Sequence, residues 1–291
     1  MSGTTTTSTL GLSLDSVRSS ARIVREQEGG MPHLVENQTL GGGIGLSWDE
    51  IALSKLQATR VTETTDLQNP QQYEDSLISI TPVVVGVHTV VTDRVRDRLN
   101  KKVLAKMGSL GQNAIQRLKD EDGLTVLGTG ATTCSPGAGN PLTSGHIASA
   151  KVNLSSSKTE PAKPPYRCVL HGFQIHDLFK ELVAGVGTYT TPEGMTARVF
   201  QTGFTLPIAG VEVYENGNIT IDGSDDAVGG VFPQEGIILV QGKAPRVVSE
   251  RKESLGGGAE VVYHYDEYAY GLRNSTTWLM TIKSDATQPT S

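Results

Sequence analysis

The densest run of groups able to do chemistry in this chain is Tyr263-His264-Tyr265-Asp266-Glu267-Tyr268. On a strand successive side chains alternate, so His264, Asp266 and Tyr268 share one face, where three polar groups could bind a metal or shuttle a proton. The same trio suits a polar contact surface, in which tyrosine is enriched. Other candidates are weaker. His171 and His176 stand five apart, the wrong step for one helix face. Cys134 and Cys168 lack the CxxC or Cys/His spacing of a zinc site and read as free thiols. A phosphate-gripping GxxxxGK[ST] or GxGxxG loop between strand and helix is missing, as is a GxSxG nucleophile elbow. The sequence therefore predicts no catalytic, cofactor-binding or metal-binding residues. A hydrolase built on His264 and Asp266 is the remote alternative.

Composition agrees with a non-catalytic reading. The 291 residues suffice for one large domain or two interleaved ones. Thirty-three glycines and only 5% aromatics favour strands, turns and loops over a helix bundle. A formal charge of −6 and a pI of 5.6 exclude a conventional DNA-binding domain, whose affinity rests on cations set against phosphate. No run approaches the roughly 18 apolar residues of a membrane span, and MSGTTTTSTLGL lacks the basic start and apolar core of a signal peptide. The expectation is a protein made in a cytoplasm, with no membrane partner.

The elements that would carry a function follow from periodicity. Residues 1–9 are a polar tail. Residues 14–28 are weakly helical, with Arg18, Arg22 and Arg25 on one face and Val17, Ala21 and Val24 on another. Gly29 and Gly30 end that helix and Pro32 bars its return. Gly41-Gly42-Gly43-Ile44-Gly45 reads as a hinge. Residues 50–63 and 76–91 are extended segments flanking a polar tip, Thr64 to Asp75, with Pro70 near its middle. Such a tip has little to bury at home and suits an arm lying across another subunit. Thr65, Gln68, Pro70 and Tyr73 of the tip, with Arg18, Arg22 and Arg25, are the candidate inter-subunit contacts.

A long helix is predicted from Thr92 or Asp93 to about Lys119, with Val95, Leu99, Val103, Met107, Leu110, Ala114 and Leu118 at steps of three or four. Arg94, Arg96, Arg98, Lys101, Lys102 and Lys106 give its first half a basic flank, open to solvent or set against DNA or an acidic neighbour. Gly108 and Gly111 each weaken the helix by about 1 kcal/mol relative to alanine, which suggests a bend or a close backbone approach. Residues 123–165 read as a connection. A compact unit follows, with a strand over 166–170 and a helix over 173–184. Further strands are predicted over 199–204, 211–215, 236–241, 247–254, 260–269 and 277–282.

This order of parts resembles the tailed-bacteriophage major capsid proteins, the Hong Kong 97-type fold. The sharpest local likeness is Ile80-Thr81-Pro82-Val83-Val84-Val85-Gly86-Val87 with Val90-Val91-Thr92-Asp93-Arg94, similar to the outgoing strand of that family's extended loop running into its spine helix. Tyr166-Arg167-Cys168-Val169-Leu170-His171 with Asp177-Leu178 resembles the opening of the axial domain. Ile208-Ala209-Gly210-Val211-Glu212-Val213 and residues 274–284 also fit. The resemblance implies an α+β chain in four parts: an N-terminal arm (1–45), an extended β-hairpin loop (46–91), a peripheral domain with the spine helix (92–135 and 245–275), and an axial α/β domain (136–244 and 276–291). It implies hexamers and pentamers of one chain tiling an icosahedral head around double-stranded DNA in a virion. Expected partners are a separate scaffolding protein, a portal, a cement or decoration protein, and non-specific contact with packaged DNA. An encapsulin-like nanocompartment shell is the alternative within the same fold. Some family members weld subunits through a lysine of the extended loop. Between Arg60 and Val87 this chain has none, so that crosslink is not expected from the loop.

Overall fold

The computed structural model describes residues 4–5, 29–43, 45–63, 70–98, 101–185, 207–255 and 257–290. Arg18, Arg22, Arg25, Thr65, Gln68 and the strand predicted over 199–204 lie outside these. The described chain is a mixed α+β fold with two five-stranded sheets and a separate two-stranded hairpin.

The first sheet has the order β1-β5-β11-β10-β2, formed by Thr4–Thr5, Val83–Thr92, Ala259–Leu272, Ile237–Lys252 and Glu36–Thr39. β10 and β11 make its long antiparallel centre, and β5 continues it antiparallel from Thr92↔Ala259 to Val83↔Tyr268. The hairpin pairing is thus narrower than the expected 46–91. Only β3 (Trp48–Leu53) and β4 (Asp75–Ile80) pair with each other, while β5 belongs to the sheet. The second sheet has the order β6-β12-β9-β7-β8, formed by Thr132–Thr133, Met280–Asp285, Asp226–Pro233, Tyr166–Leu170 and Val211–Glu215.

Five helices lie among the described residues: α1 (Met31–Leu34), α2 (Asp93–Arg98), α3 (Lys101–Leu127), α4 (Ser144–Ser155) and α5 (Gly172–Gly185). α3 is the longest of them, and it runs past Lys119, where the sequence pattern weakens. Its last turns are held by tertiary contacts, with Leu124 and Leu127 buried among Phe232, Ile237, Leu239 and Leu279. Pro32 does not bar a helix. It sits in the first turn of α1, where the missing N–H has no partner to lose. The expected connection over 123–165 holds α4, whose Ile147, Ala150 and Leu154 are buried at helical spacing, with Glu181 accepting hydrogen bonds from Ser144 N (2.6 Å) and Ser144 Oγ (3.1 Å). The two strands expected at 236–241 and 247–254 are one, β10, broken only by register shifts near Lys243 and Arg246. β9 was not anticipated. A Cβ on its Gly229 would stand 2.3 Å from the Val169 carbonyl oxygen, so glycine is what lets β7 and β9 approach.

Candidate assembly surfaces

The Tyr263–Tyr268 run lies at the centre of the first sheet, and its polar face turns inward against α3. His264, Asp266 and Tyr268 are all buried. Lys119 Nζ donates to Asp266 Oδ2 at 2.8 Å, and both side chains are almost wholly removed from solvent. Gln241 Nε2 donates to Asp266 Oδ1 at 2.9 Å, and Tyr268 Oη donates to Asp122 Oδ2 at 2.8 Å. Burial and the Asp122 carboxylate push the Tyr268 phenol well above its ordinary value, so it is a neutral donor. A Cβ on Gly111 would fall 2.6 Å from His264 Cδ2, so here the glycine accommodates the imidazole by close approach. The trio is therefore a helix-to-sheet joint. Among the described residues, no three His, Cys, Asp or Glu side chains are grouped to hold a metal. Cys134 and Cys168 are buried free thiols, and burial pushes the Cys168 thiol up.

The opposite face of the same sheet carries a row of aromatic rings beside the buried cluster of Val90, Ala259 and Val261. His88 stacks on Tyr263, Tyr263 on Tyr265 (centroids 5.9 Å apart, planes within 5°), and the Arg246 guanidinium lies 5.3 Å from the Tyr265 ring. Gly86, opposite Tyr265, leaves room for that ring.

The hairpin offers the most exposed apolar surface. Opposed residues of an antiparallel pair share a face. Ile51 and Leu77 are directly opposed, with Leu53 beside them, and all three are more than 60% exposed. The hairpin's other face is anchored at its foot: Trp48, Ile78 and Ile80 pack on Ile238 and Val240, and Ile80 occupies the space that a side chain at Gly271 would need. Arg273 clamps the same foot, donating from Nε to Glu50 Oε2 at 2.8 Å, from Nη2 to Glu36 Oε1 at 3.1 Å, and from Nη1 to the Glu235 carbonyl at 2.9 Å. That guanidinium holds the Glu36 carboxyl below its ordinary value. Of the candidate contacts, Pro70 and Tyr73 are described, and both are exposed beyond the paired stem. Ile51 and Leu53 were not singled out from sequence; their alternation with Glu50 and Ala52 is the signal that marks them.

In the second sheet, the Lys283 ammonium donates to Asp222 Oδ2 at 2.9 Å and lies 3.6 Å from Asp226 Oδ2. This pairing, with the N–H groups of Asp226 and Ser224, holds Asp222 at about 2. Gln174 is fully buried, donating to the Ala227 carbonyl (2.9 Å) and Ser284 Oγ (2.8 Å), and thereby joins α5 to β9 and β12.

With this geometry in view, the fold is that of tailed-phage capsid structures. The cyanophage Pam1 capsid shares it at a TM-score of 0.74 and 12% identity, over 93% of this chain and 96% of that one. The head of Helicobacter pylori bacteriophage KHP40 does so at 0.72 and 12%, over 92% and 94%. The capsid of cyanophage P-SCSP1u follows at 0.70 and 11%, over 96% and 95%. No protein-family model matches the chain, and no curated protein matches it by sequence. Shared at this identity is the architecture, end to end.

Proposed function

We propose that the chain is a major capsid protein, assembling as hexamers and pentamers into the icosahedral head shell of a tailed phage around double-stranded DNA. The observation that carries the reading is the hairpin: it is clamped at its foot by Arg273 and Ile80 while Ile51, Leu53 and Leu77 face outward with no cover from the described chain. A stiff arm with an apolar face fits a subunit contact, and a shell repeats each contact many times, so modest interfaces suffice. The first sheet with α3 serves as the peripheral part and the second sheet with α4 and α5 as the axial part. Arg18, Arg22 and Arg25 supply cations to an acidic neighbour, and Thr65, Gln68, Pro70 and Tyr73 extend the hairpin contact. Scaffolding, portal and decoration proteins act as separate partners, and packaged DNA touches the shell without sequence reading. The particle is the protein's location, and its role is structural rather than enzymatic.

Deleting residues 65–72 tests this. The shortened chain should stay folded, with an unchanged melting temperature, while electron microscopy and sedimentation find no closed particles. Normal shells from the deletion variant would refute the role given to the hairpin.

A further inference from the structure

β10 has a free edge. β2 pairs with it only from Ile238 to Gln241, and among the described residues no strand lies on that side beyond Gln241. From Lys243 to Arg251 every residue of β10 is exposed, Val247 by 59% and Val248 by 43%. An uncovered edge is a template for another strand, and chains usually protect one with proline, bulges or charge. Here proline and bulges are confined to the inner part, at Pro245 and the register shifts around Lys243 and Arg246, while the outer part carries charges of both signs. The stretch from Arg246 to Lys252 is regular, paired residue by residue with β11 on its other side.

The sequence of this edge complements itself. When two identical strands pair antiparallel about a two-fold axis normal to the sheet, one residue faces its own copy, and the others face partners at equal steps on either side. Centred on Val248, that arrangement sets Val248 against Val248, Arg246 against Glu250 twice, and Arg251 against Pro245. Centring on Arg246, Glu250 or Arg251 puts a charge against its like. Centring on Ser249 opposes Arg246 with Lys252, and centring on Val247 opposes Lys243 with Arg251. Opposite charges facing across a strand pair are favourable and like charges are not. Arg246, Val248 and Glu250 also share the sheet face of the aromatic stack, where their β11 partners are Tyr265, Tyr263 and Val261.

We propose that the distal edge of β10 is a docking site for the same edge of a second copy, giving an isologous contact centred on Val248 that joins two five-stranded sheets into one. The contact rests on this edge alone and needs neither a closed shell nor the hairpin.

The test uses the full-length chain, whose native cysteines are buried. In Val248→Cys the new cysteines of two copies face each other with Cα atoms about 4.5 to 5.5 Å apart, within the roughly 4.4 to 6.8 Å that a disulfide spans, so mild oxidation should give a covalent dimer. Val247→Cys and Ser249→Cys, each facing a different residue, should give at least about tenfold less, because a disulfide tolerates little displacement. In the Val248→Cys background, Arg246→Glu or Glu250→Arg alone should lower the dimer yield about tenfold, since each replaces both opposite-charge pairs with like-charge ones. The double exchange should restore it. No dimer from Val248→Cys, equal dimer from all three cysteine variants, or no restoration by the double exchange would each overturn the proposal.

Discussion

Gly111 offers a test in which two effects of known sign oppose each other. Alanine is better than glycine inside a helix by about 1 kcal/mol, so Gly111→Ala on α3 should stabilise if the position were free. It is not free: the added Cβ would stand 2.6 Å from His264 Cδ2 and 2.7 Å from its Nε2. That is roughly 1 Å inside ordinary carbon contact. His264 is buried and flanked across the sheet by Val87 and Val247, so the ring has no easy escape. Overpacking of this kind costs about 1 to 3 kcal/mol, which offsets the propensity gain and leaves Gly111→Ala destabilised by up to about 2 kcal/mol. With the ring removed, the sign should reverse. Gly111→Ala in a His264→Ala background should stabilise by about 1 kcal/mol, an interaction of about 1 to 3 kcal/mol in the cycle. Urea unfolding of the unassembled chain and its three variants measures all four corners. Stabilisation by Gly111→Ala in the wild-type background, or the same sign in both backgrounds, would refute the close approach as the reason for glycine.

Two further outcomes follow from buried and half-buried charge. Arg273 lowers the Glu36 carboxyl in the folded state, so the clamp's contribution is present above the unfolded carboxyl's ordinary value of 4.5 and is lost as pH falls through the lowered folded value. Urea midpoints measured at neutral pH and in acid should therefore fall less for Glu36→Gln than for the wild type, and an identical fall would remove Glu36 from the acid response. Lys119→Met leaves Asp266 buried with only neutral donors, Gln241 Nε2 and the Glu267 N–H, and should destabilise by about 3 to 5 kcal/mol. Pairing Lys119→Met with Asp266→Leu should recover most of that loss by calorimetry, because it removes the stranded charge as well.

How much of this was legible beforehand depended on whether the signal was local. The strand over 166–170, the helix after it and the strand over 211–215 carry clear periodicity, and they stand as read. α3 stands as an element, but not its expected apolar stripe: Leu110 and Leu118 are exposed, and the buried face runs through Gly111, Ile115 and Lys119. The failures share a cause. The run Asp120-Glu121-Asp122-Gly123 looks like a helix end, yet it continues α3 because Asp120 and Asp122 are hydrogen-bonded by distant groups and Gly123 admits Met31 and Tyr270. β9 was missed for the same reason, since only the folded neighbour Val169 reveals why a side chain is excluded at Gly229. The polar face of Tyr263–Tyr268 was placed on one side of a strand correctly; that α3 covers it depends on a partner more than 140 residues away in sequence.

Asp120 shows how those distant partners set the relation of the two sheets. Its carboxylate is fully buried on α3, and it accepts from Met31 N at 2.9 Å, Asn216 Nδ2 at 2.8 Å and Asn218 Nδ2 at 2.9 Å. Met31 belongs to the segment that leads into β2 of the first sheet, and Asn216 and Asn218 to the turn that follows β8 of the second. One residue earlier, Lys119 is bound to Asp266 of β11; two residues later, Asp122 holds Tyr268. A single stretch of the helix thus grips both sheets with short, directional bonds. Apolar contacts alone would let the sheets slide by an ångström at little cost, whereas a buried carboxylate that loses one of three donors leaves an unpaired polar group on each side. Gly29 completes the joint, since a Cβ there would collide with the Asp120 side chain at 2.4 Å. Polar, geometrically strict contacts therefore lie inside the subunit. The unpaired surfaces, the apolar hairpin face and the charged free edge of β10, lie outside it, which is the division expected of a chain whose own shape must stay fixed while its outer faces find partners.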